Sequence, residues 1–504
     1  MPPNKQEDAE EAEVTLENPP ISPADDNYYV CVYFKDGKAI GHRGSQTNSF
    51  SASISKNSTE KEGNSLSGLE LITTEFIETM MGYLEYVPII LQMTPMVSHR
   101  MVAKALAKFL DKTCVSSQTE SDRIIYKLNG EDYPAFIRFN ENLSAAASTS
   151  RTLPRLLTVG LVTSLEHSVG LLMKEIATIA PANLFNKEKQ VSLNWAMNFN
   201  SMEDFKEALI NDEIDRAQRE SFDQQVSWII GKVTGMEDFR SKYTGWKDII
   251  ELFERRNLFV HANGLVNKSY LNALKGHKTR EVSDPKIGDE LHAGPKYYTN
   301  SVHIVLHFGI MLLQVAWRKL APSEKHAADK LLSDLGFELI ARGQYTVAIR
   351  ILEFARSLRD VSAEATMRMN VINLANAYKL LSNDKQSETV IESMDWTAVG
   401  NEFKISVAAI KGNVEEVVTL MKKIGSDDPI VGAAEYQQWP VFYSVRDDLI
   451  FTDTFKLLFR RDFIPSEKRQ AGLAQVMKWA DENNVSEDQD DDEITPRLQP
   501  RMIG

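Results

Sequence analysis

From Pro154 onward the chain reads as helix after helix, and that periodicity limits its folds more than any other feature. Leu161, Leu165, Leu172 and Ile176 recur at four- and seven-residue intervals within Leu156–Ile179. These steps of four, seven and four residues line up apolar side chains on one stripe, which must be buried against another helix. Further helices are expected over Met202–Asn211, Arg216–Val233, about Gly245–His261 and Val302–Lys319, with Asn263-Gly264 as a stop signal. The fold class expected is mainly α. At roughly 150 residues per domain, 504 residues suggest about three domains.

The part before Pro154 has a different texture. Tyr28–Phe34 is β-branched and aromatic and precedes Asp36-Gly37, a hairpin pattern. Gly44–Ser65 reads as a loop, and Leu69–Tyr86 and Val97–Leu110 as helices. A second hairpin is expected across Arg123–Leu128 and Ala135–Phe139, turning at Asn129-Gly130. Residues 28–150 thus form a small α+β N-terminal region without a catalytic motif. The acidic, Pro-rich residues 1–27 are expected to be disordered, and Glu487–Glu493 marks a like-charge tail within 485–504.

Toward the C-terminus, Leu332, Leu335, Gly336, Leu339, Gly343, Tyr345, Ala348, Leu352 and Ala355 fall at the spacing of a tetratricopeptide helix pair. Small residues there let two antiparallel helices approach closely. Leu374, Ala375 and Tyr378 begin a weaker copy, and Val407–Ile424, with Gly412-Asn413 as its turn, a third. The expectation is a tetratricopeptide-like α-solenoid over 322–464, capped by Phe451–Phe459, then a C-terminal helix within 465–484 that includes Ala471–Ala480.

Two cysteines argue against a disulfide scaffold and a thiolate zinc finger. The first residues lack the basic and apolar regions of a secretory signal, and Ile304–Trp317 is interrupted by His307, Gly309 and Gln314. The expected location is cytoplasmic, with no membrane partner. No Gly-x-Gly-x-x-Gly or Walker A pattern points to a nucleotide cofactor, and no cofactor is expected. His303 and His307 stand four apart, a zinc spacing, but no third ligand is evident and a packed pair is favoured. The net charge of −14 argues against nucleic acid, yet Arg255–Arg280 carries six Lys/Arg and no Asp or Glu.

Within that basic stretch lies Arg256-Asn257-Leu-Phe-Val-His261. Five helical residues give about 7.5 Å of rise and 140° of rotation, which a long arginine can span. A histidine in the last turn sits at the negative end of the helix dipole, which favours the imidazolium. An imidazolium beside a guanidinium suits a phosphodiester. The plainer alternative is a surface arginine and a capping histidine. Arg255 reads either as a phosphate contact or, preferably, as a partner of Glu251; Glu166 and His167 sit mid-helix, and Glu166 reads either as a polar site residue facing the cleft or, preferably, as a solvated or hydrogen-bonded helix position.

At these residues the sequence resembles the HEPN superfamily, whose signature is Arg, a polar residue, a short spacer and His near a helix end. The segments LVTSLEHSVGLL, ERRNLFVHANGLVNKSYL and IGDELHAGPKYYTNSVHIVLHFG extend the likeness over about 154–320. The resemblance implies a central HEPN-like helical bundle and a metal-independent RNA endonuclease, assembled as a homodimer with two Arg/His pairs facing each other. Arg256, Asn257 and His261 would be its catalytic residues, and Arg255, Lys268, Lys275, Lys278 and Arg280 its RNA contacts. It further implies a conditional toxin or antiphage effector. The competing expectation is a non-catalytic scaffold that dimerises and binds a protein or peptide on its helical repeats. The acidic tails could also mask the basic site.

Overall fold

The computed structural model describes residues 30–35, 38–44, 67–95, 101–114, 116–119, 124–185, 190–275, 285–358 and 360–464. The expected disordered N-terminus, most of the 44–65 loop, the 465–484 helix, the acidic tail, Lys278 and Arg280 lie outside them. The protein is mostly helical. It divides at Lys61/Glu62 into two units.

In the first unit, β1 (Val30–Lys35) pairs antiparallel with β2 (Lys38–Gly44), and Lys35 faces Lys38. In sequence two residues, Asp36 and Gly37, separate the strands.

The second unit opens with α1 (Gly68–Pro95) and α2 (Met101–Thr113), followed by β3 (Ser116–Thr119) paired antiparallel with β4 (Ile124–Lys127). The second hairpin therefore lies upstream of where Asn129-Gly130 pointed. Ala135–Phe139, expected as its second strand, instead opens α3 (Tyr133–Ile179). A proline beside Tyr133 suits a helix start, and the Ala-rich stretch after it carries strong helix propensity. This helix runs unbroken through 150–154, where a boundary was expected.

Next come α4 (Leu193–Ala196), α5 (Met202–Gln218), α6 (Phe222–Lys232), α7 (Phe239–Lys242), α8 (Trp246–His261) and α9 (Lys268–Leu274). The single helix expected over Arg216–Val233 breaks because Ser221 and Gln224 form a capping box that starts α6. Helix α10 (Pro295–Leu320) is the hub, packing on α1, α3, α8 and the helices that follow. At Gly309 it meets α1 so closely that a Cβ there would overlap the Phe76 ring. By length and composition α3 and α10 are long and apolar enough to cross a membrane, although 72% of the most apolar stretch of α10 is buried inside the protein. The apolar stretch that looked too interrupted for a span thus extends over a longer helix.

The remaining helices come as consecutive pairs: α11 (Lys325–Ala341) with α12 (Tyr345–Ser357), α13 (Glu364–Leu380) with α14 (Asp384–Ile391), and α15 (Asn401–Ile410) with α16 (Val414–Ile424). Helices α17 (Ala433–Gln438) and α18 (Leu449–Phe459) close the described chain. Each pair turns on one left-handed residue: Gly343 at φ 74°, Ser382 at 58° and Gly412 at 70°. The next residue's N–H then bonds back to a carbonyl of the helix just ended, Leu339, Tyr378 or Ala408, at 2.8–3.0 Å. One continuous cluster of buried apolar side chains runs from Leu69 to Phe463.

Candidate functional site

Helix α8 carries the motif, and its apolar Ile249, Leu252, Phe253 and Leu258 anchor it in the protein. The helix stops where the sequence indicated. Asn263 turns left-handed at φ 48° and Gly264 at 80°, and the Gly264 N–H reaches back to the Leu258 carbonyl at 3.0 Å. The outgoing strand-like segment then pairs with 288–291, through Val266 N–H to Asp289 O and Leu291 N–H to Gly264 O. Arg155 of α3 clamps this junction. Its Nη1 donates to Asn263 Oδ1 at 2.6 Å and its Nη2 to Glu290 Oε1 at 2.5 Å. A Cβ on Gly264 would sit 3.0 Å from the Leu291 carbonyl, so the close approach as well as the turn calls for glycine there.

The two arginines of the motif part company. Arg255 is 5% exposed. Its Nε donates to Glu251 Oε1 at 2.7 Å, its Nη1 to the His292 carbonyl at 3.0 Å, and its guanidinium lies 4.0 Å from the Tyr297 ring centre. Glu251 also accepts from the Tyr270 and Tyr297 hydroxyls at 2.8 and 2.9 Å. Burial would lower the Arg255 pKa, but Tyr297, Glu251 and Tyr270 more than offset it and hold the guanidinium above its ordinary value. Burial first, then the Glu251 charge, raises both phenols. The preferred reading of Arg255 as the partner of Glu251 is what the structure shows. As an RNA contact it is corrected, because a buried guanidinium locked in this network has no surface to offer a phosphate.

Arg256 crosses instead to α3. Its Nη2 and Nη1 donate to the two carboxylate oxygens of Glu166 at 2.6 and 3.2 Å. Its side chain is 20% exposed and stacks 5.6 Å from the Phe253 ring centre. Asn257 is exposed and hydrogen-bonds Glu254. Burial raises the Glu254 carboxyl, against that bond and the Arg256 charge. His261 ends α8, exposed. No side-chain hydrogen bond joins His261 to a described residue. Lys268, the first residue of α9, and Lys275, just after it, are also exposed. The structure thus brings Arg256 to Glu166 and leaves His261 and both lysines in solvent.

Beside Glu166 a polar pocket opens on α3, α5 and α6, lined also by His167, Lys174, Gln218 and Gln225. His303 and His307 lie apart from this site. Burial, then the charge of Arg350, lowers both to about 4, against a Gln344 hydrogen bond to His303. Among the described residues no three His, Cys, Asp or Glu side chains gather as a metal site.

Sequence reasoning missed the Arg155 clamp, and it singled out Glu166 without its partner Arg256. Each partner lies about a hundred residues from α8, and no local spacing announces it. The i−4 position of Glu251 relative to Arg255 was such a signal. No protein-family model matches the chain, and no curated protein or solved structure matches it significantly.

Proposed function

We propose that the chain is a metal-independent endoribonuclease of the HEPN type, acting as a homodimer, with residues 154–320 as its HEPN-like bundle. The observation that carries this reading is the intact Arg256-Asn257-x-x-x-His261 motif at the open end of α8, with His261 and Asn257 exposed. In the reaction an RNA 2′-oxygen attacks the adjacent phosphorus and the bond to the 5′-oxygen breaks, leaving a 2′,3′-cyclic phosphate. One proton leaves the 2′-hydroxyl and one arrives at the 5′-oxygen. Paired His261 side chains across a two-fold axis would serve as base and acid, Arg256 would neutralise the phosphoryl oxygens, and Asn257 would support the site by hydrogen bonding.

Residues 322–464 are read as a tetratricopeptide-like α-solenoid that senses a trigger or holds a protein or peptide partner. The same turn, repeated at Gly343, Ser382 and Gly412, supports this. A conditional toxin or antiphage effector in the cytoplasm is the corresponding role. The second reading, a non-catalytic scaffold, draws on the Arg256–Glu166 pair, which occupies both terminal nitrogens of the arginine.

The test compares wild type, Arg256→Ala and His261→Ala on labelled RNA in EDTA. Cleavage to cyclic-phosphate ends is expected, reduced roughly 10²- to 10³-fold in each variant. RNA left intact by wild type, or cut equally by the variants, would remove the nuclease and leave the scaffold.

A further inference from the structure

Glu166 has no part in the phosphoryl-transfer step, yet it holds the group on which that step depends. A guanidinium offers two edges for bidentate recognition, the end formed by both Nη atoms and the side formed by Nε and one Nη. Glu166 fills the end edge at 2.6 and 3.2 Å. The Arg256 Nε is buried and has no hydrogen-bond partner, so the side edge is closed to solvent. A phosphodiester can therefore engage Arg256 bidentately only by taking the place of the carboxylate. The neighbouring acid, Glu254, is hydrogen-bonded by Asn257 rather than occupying the fork.

We propose that Glu166 competes with RNA phosphate for Arg256, so that the resting protein keeps its phosphate-binding arginine occupied and RNA must displace the pair. This rests on the nuclease reading only for the identity of the anion. The displaced carboxylate has polar surroundings to enter, because Glu166 also lines the pocket that contains His167, Lys174, Gln218 and Gln225. Its side chain is 28% exposed, so opening the pair does not strand a buried charge.

Binding of a fluorescent 2′-O-methyl oligoribonucleotide to the full chain tests this. The probe keeps every phosphate and lacks the attacking hydroxyl. Glu166→Gln should tighten binding roughly two- to fivefold, the equivalent of losing one partly exposed ion pair. The log–log salt slope should steepen by up to about 0.7, because in wild type the displaced carboxylate takes up a cation that offsets the one released at the phosphate. Adding Arg256→Ala should erase both gains. Glu166→Asp, a milder change should the glutamine variant fold poorly, should bind between wild type and Glu166→Gln. Unchanged, weaker or absent binding by folded Glu166→Gln overturns the proposal and makes Glu166 a positioning residue for Arg256. If Glu166→Gln binds the probe more tightly yet cuts no RNA with intact 2′-hydroxyls, the competition stands and the nuclease reading falls. If wild type cuts RNA and the variant binds no tighter, the nuclease reading stands and the competition falls.

Discussion

Arg255 points into the protein, among a carboxylate, two phenols and a carbonyl; Arg256, one residue and about 100° further round α8, meets a single carboxylate partly open to solvent. Two adjacent residues of one type thus do different work. The inner arginine ties α8 to α9, through the Tyr270 hydroxyl on Glu251, and to α10, through Tyr297. The outer one is tied to α3 at one point, through a pair whose release leaves both ions near water. The lesson is that a charged dipeptide in a motif does not declare a charged surface. The sign of its effect depends on which face of the helix each residue takes.

Removing a member of the inner network should have the largest effect. Arg255→Ala leaves the Glu251 carboxylate buried without its cation, a change that costs about 3–5 kcal/mol. Glu251→Ala should cost a similar amount, since it leaves a guanidinium and two hydroxyls without their acceptor. Arg255→Lys should fall between, because lysine keeps the charge but loses the fork and the stacking on Tyr297. Urea unfolding followed by far-ultraviolet circular dichroism measures these. A cost below 1 kcal/mol for Arg255→Ala would end the distinction between the two arginines.

The same contrast of inside and outside separates His303 and His307 from His261, and acid should expose it. The two half-buried histidines titrate at about 4 in the fold against an ordinary 6.5. Their neutral form is the one the fold tolerates. Above pH 6.5 they leave stability unchanged. As pH falls from 6.5 toward 4 the unfolded chain takes up protons first, and stability drops by about 2 kcal/mol for each histidine by pH 5. Thermal melts between pH 8 and 5 should show this loss in wild type and a shallower one in His303→Gln. An equal pH slope in both proteins would place the acid sensitivity elsewhere.

What could be read beforehand follows from the same distinction. The helices, the Asn263-Gly264 stop and the helix pair around Gly343 were legible because local spacing and turn chemistry determine them. Glu251 was legible because it sits one helical turn before Arg255. The hairpin ending at Ala135–Phe139 was misplaced because an Asn-Gly turn signal can be outweighed by the helix that follows. The partners of Arg155 and Arg256 were not legible, since packing of α3 on α8 and on the segments after it brings together residues 90 to 135 positions apart. The local charge of Arg255–Arg280 gave the sign of the region but not its geometry. One of its six cations is buried and another is paired.

A smaller loss should follow from the junction that both arginines flank. Asn263→Ala forces an alanine into φ 48° and removes the acceptor of Arg155 Nη1. The backbone term and the lost bond together predict about 1–2 kcal/mol. Asn263→Gly, which keeps the turn and loses only the acceptor, should recover part of that. If the alanine and glycine variants unfold alike, the left-handed backbone contributes nothing and the Arg155 clamp alone holds the turn.

Arg256→Ala should have the smallest effect on stability, about 1 kcal/mol or less, because its ion pair with Glu166 is partly exposed and screened. Glu166, 28% exposed, stays hydrated when its partner goes, unlike Glu251. The comparison with Arg255→Ala is therefore sharpest in this variant: one position along the helix, the same truncation, and several-fold less destabilisation in the same urea titration. Salt separates the two further. Screening acts on exposed charges and hardly on buried ones, so 0.5 M NaCl should shrink the Arg256→Ala deficit and leave the Arg255→Ala deficit intact. An Arg256→Ala cost that equals that of Arg255→Ala and resists salt would mean that the α3–α8 pair is structural, and that Arg256 is not free to leave Glu166 for a phosphate.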